Sequence, residues 1–552
     1  MEIGIDPSIP TYGGGLGILA GDTLHAAADL GIPMVGMTLI YHKDHFEQSL
    51  DDRGNQSEST FLWSPLAHLK PLPQRATVEI EGRNVFLRPW VYTVQGISGH
   101  EVPIYFLDAN LPENDPRDQN LTDYLYGGDD RYRFCQEIIL GLGGVAVLQV
   151  LGYNDVQAYH MNEGHSSLLA LALLELGRSK DSLGTLTDAD REAIRNKCVF
   201  TTHTPVRAGH DQFPRNLVEQ VLGTERTDGL EAAGGFMDGT LNMTHLGLTC
   251  SRYINGVSMR HEEISRGMFP GYPINSVTNG VHAVRWTSET FVRLYDQYIP
   301  EWRHDNLYLR YAVNIPVEEI WQAHAQSKEN LLAEVESREG VKLDPQVMTI
   351  GFARRATGYK RADLLLTDLD RLRKIIHAAG SLQVIYSGKA HPHDETGKNI
   401  IRSIFEAASD LKGTISIVYL NNYDMTLAKK ICSGVDLWLN TPQKPHEASG
   451  TSGMKAALNG VPSLSVLDGW WVEGCMEGLT GWAIGGESQS DNDSSEEIQS
   501  LYDKLEYIIL PLYYKNRMEY GKVMRSAISI NGSYFNAQRM VFQYLTNAYI
   551  TH

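Results

Sequence analysis

Val435 to Gly460 reads VDLWLNTPQKPHEASGTSGMKAALNG. Val435–Asn440 has the length and apolar content of a buried strand, and MKAALNG opens a helix. The residues between them are the Pro, Gly, Ser and Thr of a loop. Strand, loop and helix in that order make half of a βαβ unit. The same pattern recurs at Val347-MTIGFA, Leu382-QVIYSG, Ile415-SIVYL and Ser463-LSVLDG, each followed by helical periodicity. An earlier series runs through Pro33–His42, Asp155–His160 leading into the apolar stretch from Ser166, and Cys198-VFTTHTP. Two such series, separated by residues 296–345, predict an α/β protein of two doubly wound domains facing each other. Ligands in such sheets sit beyond the carboxyl ends of the strands. Val541, Tyr544, Leu545 and Tyr549 share one face of Asn536–Ile550, which predicts a packed terminal helix. The polar, acidic run Gly485–Glu497 predicts an exposed loop.

Composition narrows the function. The 552 residues carry 48 basic and 67 acidic side chains, a net charge of −19, with 42% hydrophobic residues. A chain this long and apolar buries more than one core. A charge this negative argues against non-specific binding of nucleic acid or of anionic membranes. Cys135, Cys198, Cys250, Cys432 and Cys475 are dispersed, with no CxxC, which predicts reduced, buried thiols in a cytoplasmic protein. No Lys or Arg precedes Lys43, no signal core follows, and Ile138–Leu151 reads as too short to span a bilayer.

Three motifs bear chemistry. In Glu447-ASGTSGM-Lys455, small residues at a helix start leave backbone N–H groups for an anion, and Glu447 can accept from a polyhydroxyl ligand. Lys455 reads as a phosphate contact or a Schiff-base lysine. Arg354, Arg355, Lys360 and Arg361 put four cations into eight residues directly after an apolar strand, an arrangement that favours an anion pocket over a solvated loop. Tyr12-GGGLG precedes a clear helix; it is not GxGxxG, and reads as a turn or an anion-binding loop. His160, Asn162, Glu163, His165 and His203 follow β-rich runs and suit sugar hydroxyls. The HMNEGH spacing is not HExxH and offers no third ligand, so no metal is expected. Asn279 lies in a similar polar loop, and Trp286 can stack on a ring. Two anion sites, a reactive lysine and many sugar-type polar groups belong together in an enzyme of phosphate and carbohydrate.

In these motifs the sequence resembles the α-glucan (glycogen, starch, maltodextrin) phosphorylases. The resemblance is carried by EASGTSGMKAALNG and RRATGYKR, and also by YGGGLG, NEGH, THT, NGVSMRH, SVTNGVHAVRW, SGKAHP and VLDGWWVEG. It is closest to the shorter bacterial and archaeal group. It implies a GT-B fold, two Rossmann-like domains with the active site in the cleft between them. The expected spans are 1–285 for the glucan-binding domain, 286–535 for the cofactor and phosphate domain, and 536–552 for a helix crossing back. It implies a glycosyltransferase that phosphorolyses a terminal α-1,4-linked glucose of glycogen or maltodextrin with inorganic phosphate, giving glucose 1-phosphate with retention. The cofactor it implies is pyridoxal 5′-phosphate on Lys455. Carried over position by position, His203, Arg355, Lys360 and Glu447 are the catalytic set. Thr451, Ser452, Arg354, Trp286 and Tyr423 join Lys455 at the cofactor. Gly14, Gly15, Asn279, Tyr359, Ser449, Gly450 and His165 meet substrate. Arg354 stands where better-known members carry Lys, Gly453 where they carry Asn, and Asp424 where many have Arg. Dimers are common in that family, which implies a homo-oligomer.

Three rivals share parts of this pattern. A nucleotide-sugar glucan synthase of the same fold needs the Arg/Lys pair but has no use for Lys455 as a Schiff base. A non-catalytic glucan-binding protein would have no need of the charged positions, which are all present. A glycoside hydrolase needs two carboxylates, for which only Glu163 and Glu447 are candidates.

Overall fold

A computed structural model of the chain describes residues 1–43, 46–61, 63–178, 180–486 and 494–550. The chain forms two compact units. The first comprises Met1–His45, Thr60–Thr278 and Val541–His552, and the second Phe46–Ser59 and Asn279–Met540. The change of unit thus comes at Thr278/Asn279, and Phe46–Ser59 goes with the second unit for a visible reason. The Gln48 side chain donates to Gly388 O (3.0 Å), Gln56 donates to Ala390 O (2.9 Å), and Lys389 Nζ donates to Phe46 O (2.8 Å).

The first unit is mixed rather than wholly parallel. Strand β1 (Gly36–Leu39) runs parallel to β4 (Glu101–Asp108). Strand β4 pairs antiparallel with β3 (Arg83–Gln95), which forms a hairpin with β2 (Ala76–Ile80). This antiparallel part departs from the expected doubly wound sheet. The hairpin turns on Glu81 and Gly82, at φ +52° and +71°, the two left-handed residues of a type I′ turn. A separate, wholly parallel sheet contains β5 (Tyr159–Asn162), β6 (Cys198–Thr201), β7 (Tyr253–Gly256) and β8 (Ile274–Ser276), in the order β8-β7-β6-β5. Strand β5 begins later than the expected Asp155–His160, at Tyr159, where pairing with Cys198 starts.

Helix α1 (Gly15–Asp29) follows the glycine-rich turn. Helix α2 (Asp130–Val150) corrects the sequence reading of Ile138–Leu151. The helix extends backwards to 21 residues, long and apolar enough by length and composition to cross a membrane. However, 78% of its most apolar window is buried inside the protein, as a core helix requires. The C-terminal helix, Ala537–Tyr544 and its wider turn Leu545–Tyr549, presents the expected face. Asn255 Nδ2 donates to Tyr544 OH (3.0 Å), and Tyr549 OH lies 2.7 Å from His160 Nδ1.

The second unit holds a six-stranded parallel sheet: β9 (Met348–Ala353), β10 (Leu382–Ser387), β11 (Ser416–Leu420), β12 (Leu437–Asn440), β13 (Ser463–Val466) and β14 (Gly481–Ile484). Every residue of β9, β10, β12 and β13 is buried, as continuous apolar runs demand when helices cover both faces. The order is β11-β10-β9-β12-β13-β14. In sequence terms this is 3-2-1-4-5-6, the order of doubly wound nucleotide-binding sheets. Five of the six strands were legible; β14, after Gly481, was not. Helices α3 (Val317–Glu339), α4 (Met425–Gly434) and α5 (Ser452–Ala457) pack on it. The buried Asp436, just before β12, takes Lys328 Nζ (2.6 Å), His324 Nε2 (2.9 Å) and the Thr349 N–H (2.7 Å), which ties α3 to the amino ends of β9 and β12.

Four of the five cysteines are buried and Cys475 is half-buried; all are free thiols. Of the expected loop Gly485–Glu497, residues 487–493 lie outside the described residues, and a helix runs Ser495–Lys504.

Candidate active site

The order of the second sheet reverses between β9 and β12, so the crevice beyond their carboxyl ends is where a ligand fits. The loops leaving these two strands carry the cation motif and the Glu447 motif. They are tied together: Arg361 donates to Thr441 O (3.0 Å) and Pro442 O (2.7 Å), and Thr441 Oγ1 donates to Lys360 O (3.0 Å).

At their centre is a buried charge cluster. The Arg354 guanidinium, 8% exposed, donates to Glu447 Oε2 (2.6 Å) and to Asn440 Oδ1, and Asn440 Nδ2 in turn donates to Ser465 Oγ (3.1 Å). Lys360 Nζ lies 3.8 Å from the same Glu447 oxygen. Burial would raise the Glu447 carboxyl, but Arg354 and Lys360 outweigh it and hold it below its ordinary value. Lys360 is pushed down to about 7, first by burial and then by the Arg354 charge, against the pull of Glu447. Arg355, beside them, is exposed and has no ion pair among the described residues, and its charge also depresses Lys360. Three cations thus stand near the Glu447 and Asp468 carboxylates, an excess of positive charge that an anion corrects. Tyr359 flanks the cluster, half-buried, with its ring 6.2 Å from His446 and its hydroxyl pKa raised by burial.

The Glu447 loop leads into α5. Gly450 is left-handed (φ +78°), and a Cβ there would stand 3.5 Å from Glu447 Oε1. Thr451 caps α5 without a side-chain bond, and Ser449 O accepts the Trp470 N–H (2.9 Å). Lys455, 7% exposed, ends with its Nζ 3.7 Å from the centre of the Trp286 ring. Asn459 bridges the two, with its side-chain amide donating to Trp286 O (3.0 Å) and Lys455 O (2.8 Å). Tyr423 packs against the apolar cluster containing Cys432, Trp438 and Ala456. Asp424 caps α4 by accepting the Leu427 N–H (2.7 Å), a structural use of an acid at a helix start. Asn279 is buried, and its side-chain oxygen has no hydrogen-bond partner.

The remaining residues lie in the first unit. His203 and the NEGH motif meet at the carboxyl ends of β5 and β6. Glu163, at φ +77°, accepts the His203 N–H (2.7 Å), Thr204 Oγ1 (3.0 Å) and its neighbour's Gly164 N–H (3.0 Å). His203 Nε2 donates to Asn162 Oδ1 (2.6 Å), and burial pushes its pKa down to about 3, so the ring is neutral. Asn162 and Glu163 thus hold His203 in place, a pairing that their strand-end positions in the sequence did not by themselves reveal. His165 is buried, 2.5 Å from the Met1 nitrogen. His160 turns to Tyr549 and Thr201 (2.7 and 2.8 Å), away from Glu163. Among the described residues no group of His, Cys, Asp and Glu is placed to hold a metal.

The glycine turn is held from inside the protein. The Gly13 and Gly14 N–H groups, at 2.5 and 3.0 Å, donate to the Glu2 carboxylate, whose other oxygen accepts from Tyr126 OH (3.2 Å). The Gly14 amide is thus already engaged by an internal anion; open space lies beside Gly14 and Gly15.

Comparison with known proteins identifies the family. The family model for carbohydrate phosphorylases matches residues 210–508. The chain is 38% identical to a maltodextrin phosphorylase of Thermococcus litoralis, over all of this chain and 70% of that protein. It is 35% identical to a glycogen phosphorylase of Aquifex aeolicus, over 99% of this chain and 85% of the relative. It is 34% identical to a glycogen phosphorylase of Mycobacterium tuberculosis, over 100% and 70%. Full-length similarity at these levels leaves one assignment: the chain belongs to the carbohydrate phosphorylase family.

Proposed function

We propose that the protein is an α-glucan phosphorylase. It transfers the terminal α-1,4-linked glucose of a maltodextrin or glycogen chain to inorganic phosphate, giving glucose 1-phosphate with retained configuration. The observation that carries this reading is the excess of positive charge in the cluster of Arg354, Arg355 and Lys360 around Glu447, at the switch point of the sheet. A phosphate dianion is the ligand such an excess of positive charge stabilises. The GT-B arrangement belongs to the same proposal.

In this mechanism Arg355 and Lys360 grip the substrate phosphate, and Glu447 fixes Arg354 and Lys360 through Oε2. Glu447 Oε1, on the Gly450 side, is left to accept from a glucose hydroxyl, with Asn279, Ser449, Gly450 and the neutral His203 as further sugar contacts. The phosphate's negative charge stabilises the oxocarbenium-like transition state. The surroundings of Lys455 fit pyridoxal 5′-phosphate: a buried primary amine, the Trp286 face for an aromatic ring, and the Thr451 and Ser452 hydroxyls at the start of α5. Bound there, that cofactor would supply an ionisable phosphate group for proton exchange. The hydrolase alternative is disfavoured because a general acid needs a raised pKa, whereas Glu447 is lowered, and Glu163 is occupied by three donors.

The test offers purified protein maltodextrin with orthophosphate in one reaction and with UDP- or ADP-glucose in another. Glucose 1-phosphate in the first is the expected result. Glucan growth from the nucleotide sugar, with none released by phosphate, transfers the assignment to a synthase.

A further inference from the structure

The segment Val466-LDGWWVEG follows β13 at the same edge of the sheet as the Glu447 loop, and the phosphorolysis mechanism makes no use of it. Asp468 in this segment is 1% exposed. Its Oδ2 accepts the Glu447 N–H at 2.9 Å and its Oδ1 the Gly469 N–H at 3.0 Å. One residue on, the Trp470 N–H bonds Ser449 O (2.9 Å). Gly469, at φ +55°, lies so close that a Cβ would stand 2.3 Å from Ser449 O and 3.0 Å from Glu447 O. The indole of Trp470 closes over the next turn, where a Cβ on Gly453 would meet it at 2.8 Å. Residues 468–470 therefore brace Glu447–Gly453 at three successive points, and only Asp468 does so through a side chain that reaches the Glu447 backbone itself.

We propose that Asp468 is a positioning residue for Glu447. By fixing the Glu447 peptide it sets the direction of the carboxylate that holds Arg354 at 2.6 Å and Lys360 at 3.8 Å, and so sets the spacing of the phosphate-binding cations. A carboxylate accepting backbone N–H groups makes a charge-assisted bond, stronger and more directional than a neutral one. The distance the cations tolerate is short, because displacing a catalytic group by about 1 Å can cost on the order of 10²-fold in rate. This inference rests on the phosphorylase reading.

The test is a double-mutant cycle of Asp468→Asn with Glu447→Gln, run with maltodextrin and varied orthophosphate. Asn keeps the shape but turns an N–H₂ toward one of the two backbone donors. In the native background, kcat/KM for phosphate should fall about tenfold or more. In the Glu447→Gln background the same change should cost less than about threefold, since the carboxylate it positions is gone. A general packing role predicts equal losses in both backgrounds, and additivity overturns the proposal. So does an unchanged kcat/KM in the single variant. Should Asp468→Asn not accumulate as folded protein, Gly469→Ala presses on the same peptide from outside and is read in the same cycle, with additivity again decisive against it. If the native enzyme itself releases no glucose 1-phosphate, it is the phosphorylase reading that falls.

Discussion

Lys360 provides the most quantitative test of the phosphate site. Its ammonium, buried beside Arg354 and 3.8 Å from Glu447, titrates at about 7 in the free protein. At pH 8 roughly one-tenth of the molecules carry that proton, and at pH 6 roughly nine-tenths. One further negative charge at about 4 Å, at an effective dielectric constant near 20, contributes about 4 kcal/mol, or about three pKa units. Phosphate should therefore return Lys360 toward its ordinary value and draw a proton onto it. Uptake attributable to Lys360 rises from about 0.1 per site at pH 6 to about 0.9 at pH 8. Calorimetric titration with orthophosphate in two buffers of different ionisation enthalpy measures this number. Lys360→Arg, charged at every accessible pH, provides the baseline and removes the contribution of the phosphate's own ionisation. Equal proton uptake by the two proteins at pH 8 would refute both the depressed Lys360 and its contact with phosphate.

Other outcomes follow from the same geometry. Arg354→Ala leaves Glu447 buried with Lys360 alone, so it should destabilise by about 3–5 kcal/mol in denaturant melts and cut turnover by roughly 10²–10³. Asp436→Ala, at the opposite end of the sheet, should cost a similar 3–5 kcal/mol because Lys328 loses its counterion and His324 a hydrogen-bond partner, with kcat per folded molecule unchanged. Borohydride treatment of the holoprotein should fix pyridoxal phosphate to a peptide containing Lys455 and erase its near-ultraviolet absorbance; label on another lysine contradicts the cofactor assignment. The pH–rate profile of His203→Asn should keep the limbs of the native profile, since His203, pushed to about 3, is neutral throughout the working range.

Legibility followed the physics of each element. The strands of the second unit were readable because both faces are covered, which writes β9 and β10 as mostly apolar runs broken only by Thr349, Gln383 and Ser387. Arg354 and Glu447 each follow such a run, which placed both beyond strand carboxyl ends; that the two strands are neighbours appears only in the fold. The β2–β3 hairpin was obscured because its turn uses Glu81-Gly82 rather than Asn-Gly. The alternation of Val78, Ile80, Val85 and Leu87 was its remaining sign. Asn440 and Asp468 could not be singled out because each acts through another residue. Their chemistry appears only once neighbouring strands are laid side by side, 25 and 21 residues from their partners Ser465 and Glu447. Glu2 was hidden for the same reason, since nothing in a carboxylate two residues into the sequence announces that it will sit against Gly13 and Gly14.

That carboxylate sorts the glycines of the turn into two classes for anyone redesigning it. A methyl group on Gly17 would arrive 2.7 Å from Tyr12 Cβ and 2.8 Å from Glu2 Oε2, so this position is closed to alanine by the inside of the protein. Gly14 and Gly15 meet nothing within 4 Å, and neither has a left-handed backbone. Alanine there should leave the melting temperature almost untouched, and whatever it costs is a measure of the space a ligand needs. With Glu2 holding two of its amides, the turn takes its shape from contacts inside the protein alone.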